Sequence, residues 1–166
     1  MDKRFTVEKL DPSDDKVSFV ELILELKKNM RERDLIDLGD TCDDVDWAFI
    51  VSIRLSEEVY VYRNEDGNVL CVVGKSMEDK GSIGRAVWMV GTNYINDGYV
   101  RPLLIKEARR LIGEWVKKHG LLYNCVHEDN VKSIRYMTML GAKWLPEMTE
   151  RNGKKFYNFY IVGGDE

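Results

Sequence analysis

Apolar and polar residues alternate along "RFTVEKL", Arg4 to Leu10, which is the period of a strand with one buried face. The pattern then lengthens in "DPSDDKVSFVELILELKKNM", where Phe19, Ile23, Leu26 and Met30 recur at helical spacing. Ser13 or Asp14 can cap that helix, and the acids beside them suit its positive end. Gly39–Thr41 reads as a break. "DDVDWAFIVSIRL" follows as a second helix, with Val45, Ala48, Phe49 and Ile53 on one side. "EVYVYRNEDGNVLCVVGKS" is two β-rich runs around the turn signal Asp66-Gly67. After "KGSIG" comes "RAVWMVG", short and nearly all apolar, as expected of a strand buried on both faces.

The loop "GTNYINDGY" leads into a third helix marked by Leu104, Ala108, Leu111, Ile112 and Trp115. Lys117-Lys118-His119-Gly120 supplies the cations and glycine expected at its stop. "LLYNCVH" is a further buried strand. "EDNVKSIRYMTMLG" is a short helix between an Asp129 or Asn130 cap and Gly141, and "AKWLPEMTE", "RNG" and "KKFYNFYIV" form a second hairpin. The predicted order is βααβββαβαββ in an α/β (α+β) class: a mixed central sheet flanked by helices. No repeat or linker divides residues 1–166, so a single domain is expected.

Composition narrows the function classes. The chain has a formal net charge of −4, and phosphate-backbone binding needs a basic surface, so no nucleic-acid partner is expected. No apolar run nears the roughly 20 residues that span a bilayer, and the start lacks a signal-peptide core, so cytosolic synthesis is expected. Cys42, Cys71 and Cys125 are widely spaced, which points to free thiols and to no metal site. Trp47, Trp88, Trp115 and Trp144 read as core or interface. Lys106, Arg109, Arg110, Lys117 and Lys118 read as a solvated face.

The order of elements resembles the GNAT family of N-acetyltransferases over nearly the whole chain. Two segments carry the resemblance. The family's R/Q-x-x-G-x-G/A loop falls on Ile95-Asn96-Asp97-Gly98-Tyr99-Val100, where Gly98 alone matches. "EDNVKSIRYMTMLGAKW" is similar to the family's Asn-to-Gly segment, with Asn130 and Gly141 eleven apart. Within the family, "VWMVGT", "LLIKEARRLI" and "LLYNCVHEDNVKSIRYMTMLGAKW" look most like a divergent group from tailed bacteriophages that includes internal virion proteins of the podophage type. That resemblance implies a phage or host protein as partner. It places the protein in the host cytoplasm or the virion.

The resemblance also implies a cofactor, acetyl-CoA. Its pyrophosphate would lie where the free N–H groups and dipole of the long helix favour an anion. Val90, Gly91, Asp97, Gly98, Tyr99, Val100 and Arg101 are the residues implied there, with Asn130 from the short helix. Gly98 keeps one close-approach position and Pro102 suits the first turn. Val100, by contrast, stands in place of a glycine and would crowd the approach. Ile95 replaces the usual Arg or Gln, and Asp97 brings a negative charge. A helix-capping loop and a working cradle both remain open. The family's acid, a tyrosine that protonates the leaving thiolate, aligns with Met137, which has no proton to give. Tyr136 is adjacent but turned by roughly 100° on a helix. Glu128 and His127 are the candidate bases at the end of the fifth sheet strand, and any cleft belongs outside the carboxyl ends of that strand and of the parallel strand ending at Gly91. Two functions follow: an interaction protein that kept the scaffold and a degenerate acetyl-CoA site, or an active N-acetyltransferase acting on a host or phage amine.

Overall fold

The structure is a computed structural model that describes residues 4–13, 16–41, 44–77, 83–96 and 98–163, without the side chains of 16–18 and 37–41. Asp14, Cys42 and Asp97 lie outside the described residues. The chain runs β1 (Phe5–Leu10), α1 (Lys16–Asn29), α2 (Glu32–Thr41), α3 (Val45–Arg54), β2 (Ser56–Asn64), β3 (Val69–Ser76), β4 (Arg85–Gly91), a 3₁₀ turn (Asn93–Asn96), α4 (Val100–His119), β5 (Leu121–His127), α5 (Val131–Met139), β6 (Lys143–Arg151) and β7 (Lys154–Val162). The seven strands are ordered β1-β2-β3-β4-β5-β7-β6, a mixed sheet as expected. One helix was not anticipated: α2 carries Leu35, Ile36 and Leu38 on one side and runs through the expected Gly39–Thr41 break. No helix of the described residues is long and apolar enough to cross a membrane.

The chain forms two compact units, 1–77 with 88–103 and 78–87 with 104–166. In the first, α1 buries Phe19, Leu22, Ile23 and Leu26 in one core with Phe49 and Ile53 of α3 and Val59, Val61, Val69 and Val72 of the sheet. Strands β1 and β2 pair antiparallel from Phe5↔Asn64 to Leu10↔Val59. The turn between β2 and β3 closes on Gly67 at φ 85°, and the Glu25 carboxylate of α1 accepts from Val69 N–H at 3.1 Å and pairs with Arg63 at 3.1 Å. Gly74 is required by packing: a Cβ there would overlap the indole of Trp88, whose Nε1–H donates to Ser56 Oγ at 2.9 Å. Lys75 is fully buried, with Nζ 2.7 Å from Glu58 Oε2, and Tyr60 O–H donates to the same carboxylate at 2.9 Å. Burial pushes the Glu58 carboxyl up, but the bonds from Lys75 and Tyr60 outweigh it and pull the pKa down to about 2. Cys71 is a buried free thiol, which burial pushes up to about 12, so it is inert as a nucleophile. Trp47 is 63 % exposed, so it is not a core residue.

In the second unit, β5 pairs antiparallel with β7 along its whole length, from Leu121↔Val162 to His127↔Phe156. Its parallel pairing with β4 covers Arg85↔Leu122 and Ala86↔Tyr123; the next carbonyl, Val87 O, accepts from the Asn124 side chain at 2.6 Å. Gly84 enters β4 at φ 84°, where a Cβ would overlap the Leu121 carbonyl. Leu111, Ile112, Trp115 and Val116 of α4 are buried, as are Leu122, Phe159 and Ile161 of the strands. The outer face of α4 is exposed, with Arg110 bonded to Glu107 and Glu114. Gly120, at φ 81°, ends α4 by donating to Val116 O, and Asn152-Gly153 makes the last hairpin with both residues at positive φ. Edge strand β6 shifts register between Trp144 and Met148, around Pro146.

Candidate functional site

The residues expected at an acyl-CoA site fall into two groups, one in each unit. In the first unit, β4 ends in Val90 and Gly91, both buried. Thr92 then fixes the strand end: its hydroxyl donates to Val69 O at 2.6 Å and its N–H to Leu70 O at 3.0 Å. Its own carbonyl accepts from Ile95 N–H at 3.2 Å, which starts the 3₁₀ turn. The link between α1 and α2 also meets this end. Met30 forms an antiparallel bridge with Thr92, and Arg31 N–H donates to Gly91 O at 3.4 Å.

Helix α4 begins just beyond. Gly98 is exposed, its φ lies outside the left-handed region, and a Cβ added there would meet nothing within 4 Å. Among the described residues, neither backbone strain nor packing therefore accounts for this glycine. Tyr99 is 72 % exposed, and the Arg4 guanidinium lies 4.7 Å above its ring. Arg101 and Pro102 are exposed in the first turn. Val100 is buried, with 5 % of its surface accessible, so its branched side chain packs in the interior. These features fit an anion: two arginines, open space at a glycine and the amino end of a 20-residue helix.

In the second unit, β5 ends at His127, which is 4 % exposed and meets Phe156 edge-on at 5.2 Å. Its Nδ1 accepts from Asp129 N–H at 3.0 Å. A nitrogen that accepts carries no proton, so the neutral ring holds its proton on Nε2 and offers a donor there. Glu128 is exposed, and its backbone N–H donates to Lys155 O. Asn130 is 6 % exposed and caps α5, accepting from Ser133 N–H at 3.3 Å. Tyr136 and Met137 are half-buried, and the Met137 carbonyl accepts from both Leu140 and Ala142. Among the described residues, no group of three or more His, Cys, Asp or Glu is placed to hold a metal.

Arg4 and Arg31 were not anticipated. Both reach the end of β4 or the start of α4 from distant parts of the chain, and no local motif marks either one.

No protein-family model and no curated protein matches the sequence. Solved structures do match over nearly full length. An acetyltransferase candidate from Acinetobacter baylyi ADP1 superposes with a TM-score of 0.68 at 13% identity, covering 95% of this chain and 92% of its own. The spermidine N-acetyltransferase of Vibrio cholerae, solved with CoA and spermine, gives 0.63 at 12% identity, covering 96% and 95%. A candidate phosphinothricin N-acetyltransferase gives 0.63 at 13% identity, covering 97% and 99%. The chain therefore has the GNAT acetyltransferase fold.

Proposed function

We propose that this protein binds an acyl-CoA at the amino end of α4, that acyl transfer from it is weak, and that its main role is exercised through a protein partner. The observation that carries the binding is the open space at Gly98, flanked by Arg101 and by Arg4 over Tyr99. The fold supports it, since a Vibrio cholerae neighbour was solved with CoA. Backbone N–H groups of the first turn would receive the pyrophosphate, and Arg4 and Arg101 would balance its charge. Acetyl-CoA supplies an activated acyl thioester when bound.

Weak transfer follows from the proton chemistry. A base must take a proton from the acceptor amine and an acid must give one to the departing thiolate. His127 has its Nδ1 engaged by Asp129 N–H and is almost fully buried, so the exposed Glu128 is left as the base. Position 137 is a methionine, and a thioether has no proton to give. A phage or host protein as partner, and the host cytoplasm or virion as its place, rest on the sequence resemblance to tailed-phage proteins.

The second reading, an active N-acetyltransferase, draws on Tyr94 and Tyr99, which are 38 % and 72 % exposed beside the start of α4 and could supply the missing acid. Calorimetric titration of acetyl-CoA into the protein tests the first step. Saturable 1:1 heat is expected; no heat up to about 1 mM ligand, a binding energy weaker than about 4 kcal/mol, rejects an acyl-CoA site.

A further inference from the structure

The partners of Gly91 and Thr92 show how the two edges of β4 are used at its carboxyl end. Thr92 N–H points to β3, where it donates to Leu70 O at 3.0 Å. Successive residues of a strand turn their polar groups to opposite edges, so Gly91 faces the edge away from β3, and so does Met89 two residues earlier. On that edge the Gly91 carbonyl is already taken by Arg31 N–H.

Its occupant is the short link between α1 and α2. Met30, 4 % exposed, is held in the core and bridges Thr92. Arg31 is held by its side chain: Nε lies 2.7 Å from Asp34 Oδ2 and Nη2 lies 3.0 Å from Asp34 Oδ1, a two-point clasp to the first turn of α2. The same guanidinium stands 3.6 Å from where a Cβ on Gly91 would be. The bond the link makes to β4 is the weak member of this set. At 3.4 Å it lies beyond the usual 2.7–3.2 Å range for N–H···O bonds. The link is therefore anchored firmly at both ends and loosely in the middle, where it covers the strand.

We propose that the Met30–Arg31 link is a strap over the carboxyl end of β4 on the edge away from β3, clasped by Asp34, which must leave Gly91 O before an extended ligand bearing amide groups can add to that edge. This rests on the acyl-CoA reading above, because the pantetheine arm of an acyl-CoA is such a ligand. Apo protein is then held closed, and binding is set partly by the clasp.

The test is amide hydrogen exchange and acetyl-CoA calorimetry on the parent, Asp34→Ala and Asp34→Asn. Loss of the clasp is expected to speed exchange at the Arg31 amide about 10-fold in Asp34→Ala and to leave Val72, in the core, unchanged. Asp34→Asn, which keeps one acceptor, falls between and decides the matter if Asp34→Ala loosens the core as well. Acetyl-CoA is expected to bind Asp34→Ala about 3-fold tighter or more, since a ligand that needs the open state gains affinity when that state is more populated. Unchanged exchange at Arg31 in both variants overturns the clasp. Equal affinity of parent and variants for acetyl-CoA overturns the strap and leaves the acyl-CoA reading standing. Absence of binding to all three overturns the acyl-CoA reading and the competition built on it.

Discussion

Helix α5 starts on an asparagine whose side chain turns back onto the helix and accepts from Ser133 N–H, whereas α4 starts behind a tyrosine whose ring lies under Arg4. At α5 the chain supplies its own acceptor, and Asn130 is buried around that bond. At α4 the neighbouring features are two arginines and an open space at Gly98. A helix start is an anion site only where its donors are left to a ligand. On the reading proposed above, charge and space, more than the motif letters, would separate a binding end from a structural one.

The largest effect expected concerns chemistry. If α4 holds acyl-CoA but no acid serves the thiolate, transfer to mixed peptide and polyamine acceptors should be 10²- to 10⁴-fold below that of an enzyme with both groups, about 3 to 5 kcal/mol of barrier. Assays of the parent and of Tyr94→Phe, Tyr99→Phe and Tyr136→Phe should show no robust turnover. Vigorous turnover in the parent that collapses in one variant would identify that tyrosine as the acid and establish an active enzyme.

A second contrast, between glycines, sharpens the first. Gly84 is held at φ 84° against the Leu121 carbonyl. Gly84→Ala should therefore cost about 2 kcal/mol or more in chemical denaturation, from the left-handed backbone and the overlap together. A cost under about 0.5 kcal/mol, the range of neutral surface changes, would mean that the entry to β4 is far softer than its geometry implies.

Asn130→Ala comes next. Loss of the cap should cost about 1 to 2 kcal/mol, with Asn130→Asp retaining most of the stability. Affinity for acetyl-CoA should be unchanged in whatever fraction remains folded. A variant as stable as the parent that no longer binds acetyl-CoA would make Asn130 a ligand contact and erase the difference between the two helix starts.

What could be read from the sequence was what repeats. Phe19, Ile23 and Leu26 recur at the four- and three-residue gaps of a helix, and all are buried. The nearly all-apolar "RAVWMVG" and "LLYNCVH" are both strands, paired in parallel at Arg85↔Leu122. Helix α2 was not legible because it is short and Gly39 near its end reads as a break, although Leu35, Ile36 and Leu38 do fall on one side. Val100 shows the limit at the site. A branched residue in place of a glycine reads as an obstruction, and only the structure shows that its side chain is buried. Arg4 and the backbone N–H of Arg31 show another limit: each meets a partner far along the chain, Tyr99 and Gly91, and local spacing carries no information about such contacts.

Gly98→Ala is the smallest change in stability and the most direct question about α4. The methyl group would meet nothing within 4 Å, and the backbone does not require glycine. Stability should stay within about 0.5 kcal/mol of the parent. Only something that approaches Gly98 from outside would register the added carbon, so acetyl-CoA affinity should fall, and Gly98→Val should lower it further as the side chain fills the open space. Measuring denaturation and calorimetry on the same samples separates the two effects, since a damaged fold would lower both. Parent-like affinity in Gly98→Val, with stability intact, would mean that no ligand comes close to this residue. The open space at the start of α4 would then belong to an exposed loop, and the two helix starts would no longer differ in kind.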